Sequence, residues 1–194
     1  MKYLKPFNEE IWFIDNKSDK KICKKYGIVN YTINPDGSID VNDYVYLYDY
    51  NLTKLPLKFN KVNGNFSCSN NKLTSLEGSP KEINGDFYCR YNLLTSFEFA
   101  PKIIRGFFDC ENNKIRTFEY FPSYVKGYFW CNGNPIYEVW ELFENKDKIE
   151  LLNDFDIFRD EDTDEPSIVM NRLNDFLLTI GKDPVEKVDK YKNI

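Results

Sequence analysis

Four thiols recur at a fixed spacing. Cys68, Cys89, Cys110 and Cys131 stand 21 residues apart, and a fifth, Cys23, lies outside the series. Cysteines supply nucleophiles, zinc ligands and disulfides. Equivalent residues in stacked parallel strands point the same way at roughly 4.8 Å, whereas disulfide Cβ atoms sit about 3.8 Å apart on converging vectors. Four sulfurs in a line also make no tetrahedron for zinc. The thiols are therefore read as small buried hydrophobes in a reducing compartment, with Cys23 a core thiol on a short helix. The chain has no histidine, which removes Ser-His, Cys-His and His-metal chemistry. No G-x-x-x-x-G-K-[ST] or G-x-G-x-x-G stretch offers a phosphate cradle, and the many carboxylates form no identifiable pair in a pocket. The expectation is a protein with no enzymatic activity, no catalytic residue, no metal site and no cofactor.

The elements that carry the thiols follow from the same period. Gly64, Gly85, Gly106 and Gly127 keep a constant distance from the cysteines, which marks one structural unit copied along the chain. The units read GNFSCSNNKLTSLEGSPKEIN, GDFYCRYNLLTSFEFAPKIIR and GFFDCENNKIRTFEYFPSYVK, followed by a truncated GYFWCNGNPIYEV. An earlier unit, DYVYLYDYNLTKLPLKFNKVN, places Asp43 in the glycine column and Leu47 in the cysteine column. In F-x-C the two apolar residues point to one face of a short strand. Asn71, Asn92, Asn113 and Asn134 stand where the chain turns inward, and a buried amide there can satisfy backbone groups across the stack. Pro80, Pro101 and Pro122 punctuate the return segment, where no ladder hydrogen bond is lost.

This pattern resembles the leucine-rich repeat, L-x-x-L-x-L-x-x-N-x-L, with Phe and Cys in the two strand positions. The short period and the L-T-S-L piece are most similar to its bacterial variety, and the resemblance covers roughly residues 43 to 136. It implies an α/β repeat: a short solenoid of about five 21-residue coils sharing one parallel sheet. At larger scale, the GSIDV lead-in, the C-x-x-N-x-L-T-S-L units and the tail NPIYEVWELF…IELLNDFDI…LNDFLLTIGKDPVE resemble a widespread set of uncharacterised proteins of tailed bacteriophages. That resemblance implies a viral origin and a host-cytoplasm location, and supplies no activity.

The flanks read as caps, giving residues 1–42, 43–134 and 135–194 as N-terminal cap, solenoid and C-terminal helical cap. SDKKICKKYG reads as a helix with Ser18 or Asp19 as N-cap and Gly27 past its end. IVNYTINPDGSIDV reads as a hairpin turning at Pro35-Asp36-Gly37. After Asn134 the spacing becomes helical. Pro135 suits a first helical position ahead of Ile136, Val139, Trp140 and Phe143; Asp147 suits the cap of a second short helix; a third is expected from Pro166 to Gly181, and another turn within 184–191. The opening MKYLKPFNEEIWFID carries acidic residues where a secretion signal needs an apolar run, and no stretch approaches the ~20 apolar residues of a membrane helix. A cytoplasmic protein without a membrane span is expected.

Strand residues between the buried columns project from the concave side of the sheet. The columns are Tyr44, Asn65, Asp86, Phe107, Tyr128; Tyr46, Ser67, Tyr88, Asp109, Trp130; and Tyr48, Ser69, Arg90, Glu111, Asn132. Seven of these fifteen positions are aromatic, and Tyr and Trp dominate interface hot spots. The expected binding face is Tyr44, Tyr46, Tyr48, Tyr88, Arg90, Phe107, Asp109, Glu111, Tyr128 and Trp130. The competing reading is cross-strand stacking alone, with the helix after Pro135 covering Tyr128 and Trp130. The expected partner is a protein, with a host protein, such as a defence component, suggested by the viral resemblance. A nucleic-acid partner is disfavoured by the net charge of −5, and the Lys20, Lys21, Lys24, Lys25 cluster reads as a solvated helix face. Two alternatives are a sequestering protein that stacks a small molecule or nucleotide on the aromatics, and an acidic mimic of a nucleic-acid backbone. The latter would use the acidic segment 154–165, within a stretch (138–165) of twelve acidic and three basic side chains whose densest part is FRDEDTDEP.

Overall fold

The computed structural model describes residues 17–159 and 166–194. Helix α1 (Lys17–Lys25) leads into a hairpin of β1 (Tyr31–Ile33) and β2 (Ile39–Val41), turning at Pro35-Asp36-Gly37 as expected. The chain then alternates between two sheets at the 21-residue period. Val45–Tyr46, Phe66–Ser67, Phe87–Tyr88, Phe108–Asp109 and Phe129–Trp130 (β3, β5, β7, β9, β11) form a five-stranded parallel sheet. Phe59–Val62, Glu82–Ile83, Ile103–Ile104 and Tyr124–Val125 (β4, β6, β8, β10) pair in parallel and join β2 and β1 in a six-stranded sheet. Only β1 runs antiparallel there. Parallel strands, several helices and a constant register fit a repeat-like α/β arrangement.

The expectation of one sheet is corrected: the return segment is itself a strand. Its members are mostly two residues long, too short to display any hydrophobic period. Two short ladders per unit pair backbone groups at both sheets with the preceding or following unit. The Phe66 amide bonds the Asp86 carbonyl at 2.9 Å, and the Asn84 amide bonds the Val62 carbonyl at 2.9 Å. The corner between sheets falls at the glycines, where close stacking leaves no room for a side chain. A Cβ on Gly64 would lie 2.7 Å from the Tyr44 amide nitrogen.

The core lies between the sheets. Phe66, Phe87, Phe108 and Phe129 form one stack with successive centroids 5.3–6.0 Å apart, beside a buried column of Leu47 and the four spaced cysteines. The asparagines act as expected. Asn113 Nδ2 donates to the Cys89 and Cys110 carbonyls at 3.0 Å each, while its Oδ1 accepts from the Leu94 amide at 3.0 Å. Asn92 and Asn134 repeat the bridge one unit to either side. All five thiols are free and buried. Burial raises every thiol pKa, that of Cys68 to about 12.

The flanks depart from expectation in detail. Ser18 and Asp19 lie inside α1, whose described part begins at Lys17, while Gly27 follows its end at φ +64° as expected. Helix α2 (Tyr137–Phe143) starts two residues after Pro135. The following 3-10 turn, Lys146–Lys148, is capped by Asn145, whose side chain accepts from the Asp147 amide, rather than by Asp147. Helix α3 (Ile149–Asp154) comes next. Residues after Pro166 begin as a strand and enter helix α4 (Met170–Thr179) only past Val169. Residues 184–191 form no helix. β12 (Phe158–Arg159), β13 (Ser167–Ile168) and β14 (Lys192–Asn193) make a third sheet, so the C-terminal part is not purely helical. Trp140 packs edge-on against Phe129 at 5.0 Å and joins this part to the core. Residues 1–16 of the expected N-terminal cap and 160–165 of the acidic run lie outside the described residues. Among the described residues no helix is long and apolar enough to cross a membrane.

Candidate binding face

The outward face of the five-stranded sheet carries the expected columns, because Val45, Leu47 and their equivalents turn inward and the alternate residues turn out. Parallel register sets Tyr46, Ser67, Tyr88, Asp109 and Trp130 side by side, one from each strand. The row spans four strand spacings, about 19 Å.

Aromatics gather at both ends of this row. Along β3 and its flanks, Tyr44 and Tyr46 stack with centroids 4.7 Å apart, and Tyr48 follows, exposed. At the other end Phe107, Tyr128 and Trp130 form a triangle with centroid distances of 5.3–6.2 Å. Tyr128 is 69% exposed and Trp130 38%. The C-terminal helices therefore leave them open, because Trp140 turns onto Phe129 on the inward side. Of the seven aromatics six are exposed, and Tyr88 is half-buried.

A polar strip joins the two ends. Tyr88 Oη donates to Asp86 Oδ2 at 2.9 Å, and the other Asp86 oxygen accepts from the Phe107 amide at 2.8 Å. Asn65 Oδ1 accepts in turn from the Asp86 amide at 2.8 Å. These bonds fix the Tyr88 ring, and burial together with the Asp86 carboxylate pushes its phenol up to about 12. Asp109 does not stand out as an exposed acid: it is 2% exposed, enclosed by the large neighbours in its row. Arg90 Nη1 lies 3.4 Å from its Oδ2, and the Glu111 amide donates to its Oδ1 at 3.1 Å. Burial nevertheless dominates and raises the Asp109 carboxyl above its ordinary range. Arg90 is exposed and Glu111 half-buried. Ser69, between Tyr48 and Arg90, keeps a buried hydroxyl without a hydrogen-bond partner.

All ten expected residues thus share one face. Residues beyond that expectation adjoin it: Asn65 and Asp86, which position Tyr88, and Tyr91, exposed beside Arg90 with its ring 6.0 Å from the guanidinium carbon. Tyr91 has φ +54° at a position filled by Asn70 and Asn112 in neighbouring units. A bulky ring in a left-handed column made for asparagine is a signal readable in the aligned units. The arrangement offers stacking surfaces and fixed polar groups on a rigid sheet. Among the described residues no group of three or more Cys, Asp or Glu is placed to hold a metal ion. Comparison of the chain with protein-family models, with curated proteins and with solved structures finds no match.

Proposed function

We propose that this protein is a non-enzymatic binding scaffold: a short leucine-rich-repeat-like solenoid between an N-terminal helix-and-hairpin cap and a C-terminal cap, engaging a protein partner through the face described above. The 21-residue register of both sheets supports the solenoid reading, and the sequence resemblance to bacteriophage proteins supports a host protein, met in the host cytoplasm, as the partner. One observation carries the proposal. Six exposed aromatics cluster at the two ends of a single row, with a polar strip fixed by hydrogen bonds between them. Exposed rings on a rigid backbone bury large areas on binding with little entropy lost. The ~19 Å row suits a protein surface or an extended segment of about six residues better than one small molecule.

The test compares the wild-type chain with Tyr46→Ala and Trp130→Ala in capture from host lysate, followed by titration of the captured protein. Both variants should keep the wild-type melting temperature within a few degrees, since little core area is lost. Each should weaken binding by at least ~2 kcal/mol if it is a hot spot. Tyr88→Ala is a poorer probe, because its half-buried ring also holds the fold. Wild-type affinity in both Tyr46→Ala and Trp130→Ala would remove this face from consideration.

A further inference from the structure

A second surface, remote in character from the aromatic face, has the makings of a binding groove. The loops that precede the six-stranded sheet enclose a cleft of about 780 Å³. Leu55, Leu57 and Ala100 form an apolar floor. Four exposed lysines, Lys54, Lys58, Lys81 and Lys102, line the cleft against two carboxylates, Asp19 and Glu77. This is an inversion of local charge in a chain of net charge −5. Lys58 pairs with Asp36 at 3.1 Å. Among the described residues no carboxylate reaches ion-pair distance of Lys54, Lys81 or Lys102. Lys81 and Lys102 lie one unit apart, joined by a backbone hydrogen bond of 2.9 Å from the Lys102 amide to the Lys81 carbonyl. Like charges at equivalent positions of adjacent units repel, and an anionic occupant would relieve that repulsion.

Phe99 is the second observation. It lines the cleft with its ring 52% exposed and its backbone at φ +62°. One unit earlier the same position is Gly78, at φ +93°. The phenyl ring costs backbone strain and solvent exposure, yet it takes no part in the hydrophobic core. The ring is therefore free to meet something outside the fold. Ser79, on the same wall, has a hydroxyl with no hydrogen-bond partner.

We infer that this cleft docks an extended peptide segment of a partner protein in which acidic residues alternate with apolar ones. Apolar side chains of such a segment meet Leu55, Leu57 and Phe99, and its carboxylates meet Lys54, Lys81 and Lys102. A bare anion would leave the apolar floor unused, and a neutral apolar chain would leave the lysines unused. The inference stands independently of the aromatic face.

Selection of a random peptide display library on the full chain, then titration of a fluorescein-labelled selected peptide by anisotropy, tests this. Enriched peptides should combine Asp or Glu with Leu, Ile or Phe at alternate positions. The double variant K81E/K102E should weaken the selected peptide by about tenfold or more, with K81Q/K102Q as the substitute if charge reversal impairs folding. Phe99→Gly is the sharper probe. Glycine suits that backbone, so the variant should melt no lower than wild type while binding the peptide more weakly. The inference is overturned by a selection that enriches nothing or enriches peptides without acidic residues, or by equal peptide affinity in the lysine variants. A Phe99→Gly variant that binds fully but is destabilised also overturns it, since the ring would then be structural. Loss of peptide binding in Tyr46→Ala/Trp130→Ala, with the lysine variants unaffected, assigns the peptide to the aromatic face and likewise overturns it.

Discussion

Asn113 closes backbone groups of two successive units with one side chain: the Cys89 and Cys110 carbonyls and the Leu94 amide. All sit in the core, where an unpaired polar group costs about 1–3 kcal/mol. Asn113→Ala should therefore lower the unfolding free energy by about 3 kcal/mol or more, read from urea denaturation; a loss under 1 kcal/mol would mean that water replaces the amide. Asp36 shows the opposite kind of site, exposed but well bonded. Its carboxylate accepts from the Ser38 hydroxyl and amide and from Lys58, and the Ser38 hydroxyl is the largest cause holding its pKa well below the usual carboxylate range. A carboxyl depressed in the folded state stabilises above the unfolded pKa and loses that contribution as pH falls through the folded one. Asp36→Asn should thus melt below wild type at neutral pH, and the gap should narrow below about pH 4. A gap that stays constant down to about pH 2 would refute this account.

At the scale of elements, the last strands β10 and β11 expose an edge that another chain could extend. Lys146 covers part of it. Its Nζ donates to the Val125 carbonyl at 2.8 Å and also to the Gly127 carbonyl, and partial desolvation lowers its pKa. Lys146→Met keeps the aliphatic stem and removes the donors. It should cost about 1–3 kcal/mol and promote self-association, seen as concentration-dependent sedimentation; a monomeric variant of unchanged stability would show that the α2–α3 connection alone protects the edge. The three-stranded sheet of β12, β13 and β14 holds the chain end within the C-terminal part, and residues just before β14 fasten it to the units and to α2. Tyr191 Oη donates to the Arg116 carbonyl at 2.7 Å, and the Lys190 amide donates to Glu138 at 2.8 Å.

The repeated part of the molecule is joined by backbone bonds between neighbouring units, and an array of that kind is expected to open more readily at its ends than in its middle. The five buried thiols are spaced along it as built-in reporters. Under native conditions Cys23 and Cys131, near the two ends, should react with a thiol reagent faster than Cys89 and Cys110, as followed by peptide mass spectrometry. Identical rates at all five would show that the chain opens only as one cooperative unit.

Much of this architecture is legible in the residues themselves. A 21-residue repeat of Gly, Phe, Cys and Asn requires equivalent residues to stack in register, and it predicts parallel pairing, the inward and outward columns and the asparagine bridges. The second sheet was not legible, since strands such as Glu82–Ile83 are shorter than any hydrophobic period. The third was not legible either, because Arg159 pairs with Ser167, and Ser167 with Lys192, through long-range backbone bonds that leave no local pattern. The ten face residues were legible by alternation, but not their environments. Asp109 is buried because Tyr88 and Trp130 arrive beside it from units 21 residues away on either side. The lysine cleft likewise exists only once separate units are stacked. Spacing along a chain dictates which residues share a face; how deeply each sits, and what charge surrounds it, depends on neighbours that only the tertiary structure brings together.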